Sequence, residues 1–311
     1  MQAGAAARKF TIGWTSFWLA TSAIASGEFA ATQKALGLPS SLATVVDANT
    51  TNLPQYILIQ DIHRHPEVQD HIAAILLRGH SKWGLRSVFL EGAFSDIDPV
   101  PLASAAGNRA SLTERIRRGD LSGAEMAVAM APHPGLQLKG LEAVDLYKAN
   151  LAAWESMEKQ RDGALRELET IRLLQTTLDV DIAQISAEQL DHLDLLLRLK
   201  MKPSEYADYL AARSDIGSSV TLARAIETAE TFYRLANERS RIFLQRAQAD
   251  ASDGPKVLVI GGFHTAAMAS ALRAQGKTFA VLSPRVTESG YDALYERRLH
   301  QSISALKINS N

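Results

Sequence analysis

Cysteine is absent from this chain of 311 residues. Disulfides, thiolate metal sites, a cysteine nucleophile and a lipid-modified N-terminal cysteine are therefore excluded. A dominant charge is lacking too: 33 Lys and Arg stand against 34 Asp and Glu, for a formal net charge of −1. That balance offers no pull toward nucleic acid or an anionic membrane surface. The long apolar run is confined to Phe10–Ala25, short of the roughly 20 residues a membrane span needs. Arg8 and Lys9 precede it, and Ala23-Ile24-Ala25 closes it in a small-x-small pattern. Residues 1–25 thus read as a signal peptide cleaved near Ala25, with the mature chain exported to a periplasm or the extracellular space and carrying no membrane span. There is no G-x-S-x-G elbow, P-loop, H-E-x-x-H pair or complete Rossmann fingerprint, so a serine nucleophile and a dinucleotide site are unsupported.

What is present is a set of buried-strand patterns that end on polar groups. Tyr56–Gln60 is an unalternating apolar run, as in strands covered on both faces, and leads into Asp61-Ile62-His63-Arg64-His65-Pro66-Glu67. Pro66 is placed to open a helix with an apolar stripe at Val68, Ile72, Ile75 and Leu76, closed by Gly84. Arg86–Glu91 and Leu136–Leu141 read as the second and third strands, and Lys256–Ile260 and Thr278–Leu282 as the fourth and fifth. Alternation of strands and helices predicts an α/β fold, with a mostly parallel sheet and flanking helices. Between the third and fourth strands, 145–250 shows sustained helical periodicity and no strand signal. Its apolar faces run through Leu165, Leu168, Ile171, Leu174 and Leu178, and through Leu222, Ile226, Ala229, Tyr233, Ala236 and Phe243. The organisation expected is a signal peptide over 1–25, a linker over 26–54 with a short helix at Phe29–Leu36, an α/β core over 55–144 and 251–290, a helical insertion over 145–250, and a tail over 291–311. Ser111/Glu114, Ser122/Glu125 and Ser186/Gln189 fit capping boxes.

Ligand sites in parallel α/β sheets collect at the carboxyl ends of strands. Here those ends carry Asp61 and His63, Glu91, Glu142 and Asp145, His264, and Arg285. Imidazoles beside carboxylates suit either a divalent metal (Zn, Mn or Fe) or acid–base chemistry. In the metal version His63, Glu91 and His264 are ligands, with Asp61 or Asp145 orienting an imidazole. In the metal-free version His63 is the general base, Glu91 holds water, and His264 with Arg285 stabilises an oxyanion. Gly261-Gly262 would let backbone approach a ligand closely before a helix start that favours anions. His65, Glu67, Glu142, Asp145, Gly261, Gly262 and Thr265 are the expected substrate-contacting set.

Several of these segments resemble the erythromycin esterase/ChaN-like/TIKI–TraB superfamily: Gln60-Asp-Ile-His63 with Pro66 opening a helix, Phe89-Leu-Glu91-Gly92, Gly140-Leu-Glu142-Ala-Val-Asp145-Leu-Tyr147, and Gly261-Gly-Phe-His264-Thr265. The resemblance covers most of 55–290. It implies an α/β core with helical insertions, and it places His63, Glu91 and His264 at the family's central polar positions. Asp61 stands where many relatives carry a Glu. It implies an exported hydrolase of ester or amide bonds acting on a small-molecule or peptide substrate. The alternative it implies is a haem- or metal-binding uptake protein, with haem ligated by a residue such as Tyr147 or His65. A third reading is a partner-binding protein in which the long helices matter.

Overall fold

The computed structural model describes residues 25–63, 65–98, 109–131, 135–178, 185–213 and 219–287. Most of the expected export signal, the prolines at 132 and 134, and the expected tail over 291–311 lie outside them. Within the described residues no helix is long and apolar enough to cross a membrane.

The fold is α/β. Six strands form one sheet: β1 (Ala43–Ala48), β2 (Tyr56–Gln60), β3 (Ser87–Leu90), β4 (Gln137–Gly140), β5 (Lys256–Ile260) and β6 (Phe279–Pro284), in the order β1-β6-β2-β5-β3-β4. Every pairing is parallel except β1 with β6. The expected linker over 26–54 instead contains α1 (Ala25–Leu36) and the edge strand β1. Strand β1 escapes sequence reading because only Ala43, Val45 and Ala48 are buried and a register shift between Val45 and Asp47 breaks the alternation. Its edge is not left open. Gln33 of α1 donates to the carbonyls of Leu38 and Ala43 at 2.7 and 3.0 Å and accepts from the Val45 N–H at 2.8 Å. A side-chain amide thus occupies backbone groups that a free sheet edge would present to another strand.

Period-two alternation divides the sheet's apolar residues between two layers. Ile57, Ile59, Val88, Leu90, Val257, Val259, Ala280 and Leu282 face one core, shared with α1, α2 (Pro66–Lys82), α3 (Arg109–Arg117) and α4 (Gly123–Met130). Tyr56, Leu58, Phe89, Leu258, Ile260, Phe279 and Val281 face the other, under α9 (Gly262–Ala274) and the C-terminal part of α8 (Val220–Ala249). Both faces being covered explains why these strands read as continuous apolar runs.

Pro66 opens α2 as expected, and Gly84 follows its end at φ +69°. The capping boxes at Ser122/Glu125 and Ser186/Gln189 are present. Ser111 is not a cap: α3 begins two residues earlier, at Arg109, so Ser111 lies within its first turn.

The insertion contains α5 (Val144–Leu178), α6 (Ala187–Leu197), α7 (Pro203–Ala211) and α8. Helices α5 and α8 run antiparallel, tied by Asn150 to Phe232, Gln160 to Thr228 and Glu167 to Ser219. The insertion has its own apolar core, including Met157, Leu168, Leu193, Leu222 and Tyr233. The face expected on α8 is buried from Leu222 through Phe243. On α5 the buried line runs through Met157, Ala164 and Leu168, while Leu174 is exposed.

Candidate active site at the carboxyl ends of the strands

Strand parity decides which side each terminal residue takes. Glu91 has the parity of Phe89, so it turns toward α8 and α9; Asp61 has the parity of Ile57 and Ile59, so it turns toward α2. Register then brings the ends of β2, β5 and β3 together. The Asp61 N–H donates to the Ile260 carbonyl at 2.9 Å, and the Glu91 N–H donates to the Val259 carbonyl at 3.2 Å.

His63 Nδ1 lies 2.6 Å from Asp61 Oδ2, and the other Asp61 oxygen accepts from Gln69 of α2 at 2.6 Å. Gln69 in turn accepts from the Gly123 N–H at 2.8 Å, so the carboxylate is held from behind by α2 and α4. With Nδ1 on the carboxylate, the proton-transfer nitrogen is Nε2. A Cβ placed on Gly261 would lie 3.8 Å from His63 Nε2 and 3.3 Å from Glu91 Oε2, so both atoms lie close to the bare backbone of Gly261. Burial works against the His63 cation, but Asp61, by charge and hydrogen bond, and Glu91 outweigh it and raise the pKa to about 9. His63 is therefore an imidazolium at neutral pH.

Glu91 has three partners. Its Oε2 accepts from the Gly261 N–H at 2.6 Å; its Oε1 accepts from Arg239 at 3.0 Å and lies 3.3 Å from His264 Nε2. Burial works to raise its pKa, but His264, Arg239 and His63 together hold it well below the usual carboxylate range. The anion-favouring start of α9 is thus occupied by Glu91 itself, and the bare backbone of Gly261 approaches this side chain. Gly92, at φ +80°, turns the chain so that its N–H donates to Glu142 at 3.2 Å.

Arg239 of α8 is the hub. It donates from Nε to Glu142 at 3.2 Å, from one terminal nitrogen to Asn150 at 2.9 Å, and from the other to Glu91 at 3.0 Å and Glu142 at 2.5 Å. Its guanidinium lies over the Tyr147 and Phe243 rings, 5.4 and 5.5 Å from their centroids. The next residue, Ser240, places its hydroxyl 2.8 Å from His264 Nδ1 and 3.0 Å from the Ala236 carbonyl. Sequence reasoning passed over Arg239, Ser240, Asn150 and Gln69. One signal was there: a charged and a polar residue fall on the buried face of α8 between Ala236 and Phe243.

The structure thus joins Asp61, His63, Glu91, Glu142, Gly261 and His264. Other expected site residues have different work. The Arg285 side chain is exposed, while its N–H bonds the Leu42 carbonyl and its carbonyl bonds His71. Glu67 accepts from the backbone and hydroxyl of Thr287, both at 2.6 Å. Thr265 is buried and donates to the Gly261 carbonyl at 2.9 Å within the first turn of α9. His65 is buried at the start of α2, Gly262 opens α9 with no atom near its missing Cβ, and Asp145 is exposed in the first turn of α5.

The donor set does not fit a divalent metal on His63, Glu91 and His264. A guanidinium already bonds the carboxylate oxygen that His264 approaches, so that oxygen is not open to a cation. Among the described residues no group of three or more His, Asp or Glu side chains could hold a metal ion. No family model, curated protein or solved structure matches the chain.

Proposed function

We propose that the protein is an exported hydrolase that opens esters by water attack without a metal. The observation that carries the reading is the Asp61–His63–Glu91 arrangement: an imidazole held at Nδ1 by a carboxylate 2.6 Å away, with its Nε2 and a second carboxylate whose pKa is held low both beside Gly261.

Neutral His63 takes a proton at Nε2 from a water that attacks the ester carbonyl. Asp61 stabilises the imidazolium that forms, and that imidazolium then returns the proton to the leaving alkoxide. A carboxylate offers about four lone-pair directions. Glu91 has three partners, so one lone-pair direction remains on Oε2 to accept from the attacking water. Cleavage after Ala25 fits the same reading, since it leaves α1 from Ser26 onward in place against the core.

The test compares wild type with His63→Ala on neutral 4-nitrophenyl esters at pH 9. General-base loss should lower kcat/KM by about 10²–10⁴-fold. The urea midpoint should move little, because the His63 side chain is 36% exposed. A variant that hydrolyses at the wild-type rate, or that loses fold and activity together, refutes the assignment.

A further inference from the structure

Three exposed large apolar side chains stand within one to three residues of the reactive cluster. Ile62 (44% exposed) lies between Asp61 and His63, Phe94 (38%) follows Glu91 by three, and Val144 (45%) follows Glu142 by two. Phe94 packs edge-on against Tyr147 with centroids 5.2 Å apart, and Tyr147 covers the Arg239 guanidinium. Val144 and Tyr147 are three apart on α5 and share a face. Phe94, Val144 and Tyr147 therefore form an apolar strip that leads to the Arg239 guanidinium. That guanidinium offers little to an anionic substrate, because Arg239 is spent on Glu91, Glu142 and Asn150. Asp145, exposed beside Val144, repels a carboxylate.

We infer that this strip holds the apolar acyl chain of an uncharged ester, with Phe94 and Val144 setting chain-length preference. The inference rests on the ester-hydrolysis reading and names the substrate class of that site. Hydrolysis transfers the acyl group to water: the acyl–oxygen bond breaks, the water oxygen bonds the carbonyl carbon, and the proton goes to the alcohol.

The experiment has a turnover arm and a binding arm. Wild type is assayed on 4-nitrophenyl acetate, butyrate, hexanoate and octanoate, and on the mono-4-nitrophenyl ester of succinate. Methyl acetate and methyl octanoate are titrated calorimetrically into His63→Ala. Expected is a rise in kcat/KM of roughly two- to fourfold per buried methylene, with the succinate ester slower than butyrate, and tighter binding of the octanoate. Phe94→Ser with Val144→Ser should flatten the series. A flat wild-type series, a preference for the succinate ester, or a series unchanged by the double substitution overturns the inference. Octanoate binding without turnover of any ester overturns the hydrolase reading and keeps the apolar strip; neither binding nor turnover overturns both.

Discussion

Replacing Arg239 by methionine removes the one cation that two buried carboxylates share. Glu142 is 1% exposed and Arg239 7%, so water cannot take the place of the lost bonds. Removing one partner of a buried ion pair costs about 3–5 kcal/mol, and two abandoned carboxylates place Arg239→Met toward the upper end. In the variant, burial of Glu91 is opposed by fewer positive neighbours, which favours its protonated form. The deficit should therefore depend on pH. Wild-type Glu91 has a depressed pKa, so its contribution is complete above the unfolded carboxyl value of about 4.3 and is lost as pH falls through the folded value. The variant keeps only the part of that contribution that His264 and His63 supply, and a Glu91 that protonates more readily costs less to bury as pH falls toward about 4.3. Urea unfolding followed by circular dichroism at pH 7.5 and pH 4.5 should thus show a large gap that narrows in acid. Adding Glu142→Gln should recover part of it, since one orphaned charge is gone. A deficit below about 1 kcal/mol, or one equal at both pH values, would refute the claim that this arginine carries the burial of two charges.

If His63 is the base, kcat/KM should rise about tenfold per pH unit through neutrality and level near its raised pKa of about 9, read from a pH–rate profile over pH 6–10. Asp61→Asn removes the largest cause that raises it, so the limb should move to lower pH while the maximum falls; an unmoved limb would exclude His63 as the titrating group. The same raised pKa makes the His63–Asp61 contribution to stability complete below about pH 6.5 and lost as pH rises through about 9. Gln33→Ala should cost about 1–3 kcal/mol by stranding the groups it bonds at β1, and amide exchange at Val45 should quicken; protection equal to wild type would show that the edge is held another way.

Strands covered on both faces announce themselves locally, which is why β2 and β5 were legible to the residue and β3, β4 and β6 to within about two residues. So were His63, Glu91 and His264, because polar residues ending apolar runs are conspicuous. Strand β1 was not legible: only half its residues are fully buried, and its partner β6 lies at the far end of the described chain. Nor was the site's floor. Arg239 is 148 residues from Glu91, and only packing of α8 on the sheet brings them together. Arg285 shows the converse error, since ending a strand does not direct a side chain into the cluster.

That docking has an engineering consequence. A large helical insertion over a cleft invites treatment as an exchangeable cassette, to be swapped between scaffolds for a new specificity. Here α8 brings Arg239 and Ser240, and α5 brings Asn150, beneath the cluster as well as beside it. A graft that reproduces the outer surface of the insertion but not these three positions would strip Glu91 and Glu142 of their shared arginine and leave His264 without its hydroxyl partner. The boundary a designer must respect therefore runs through the middle of α5 and α8, between their sheet-facing and distal turns, rather than at the loops where the chain enters and leaves.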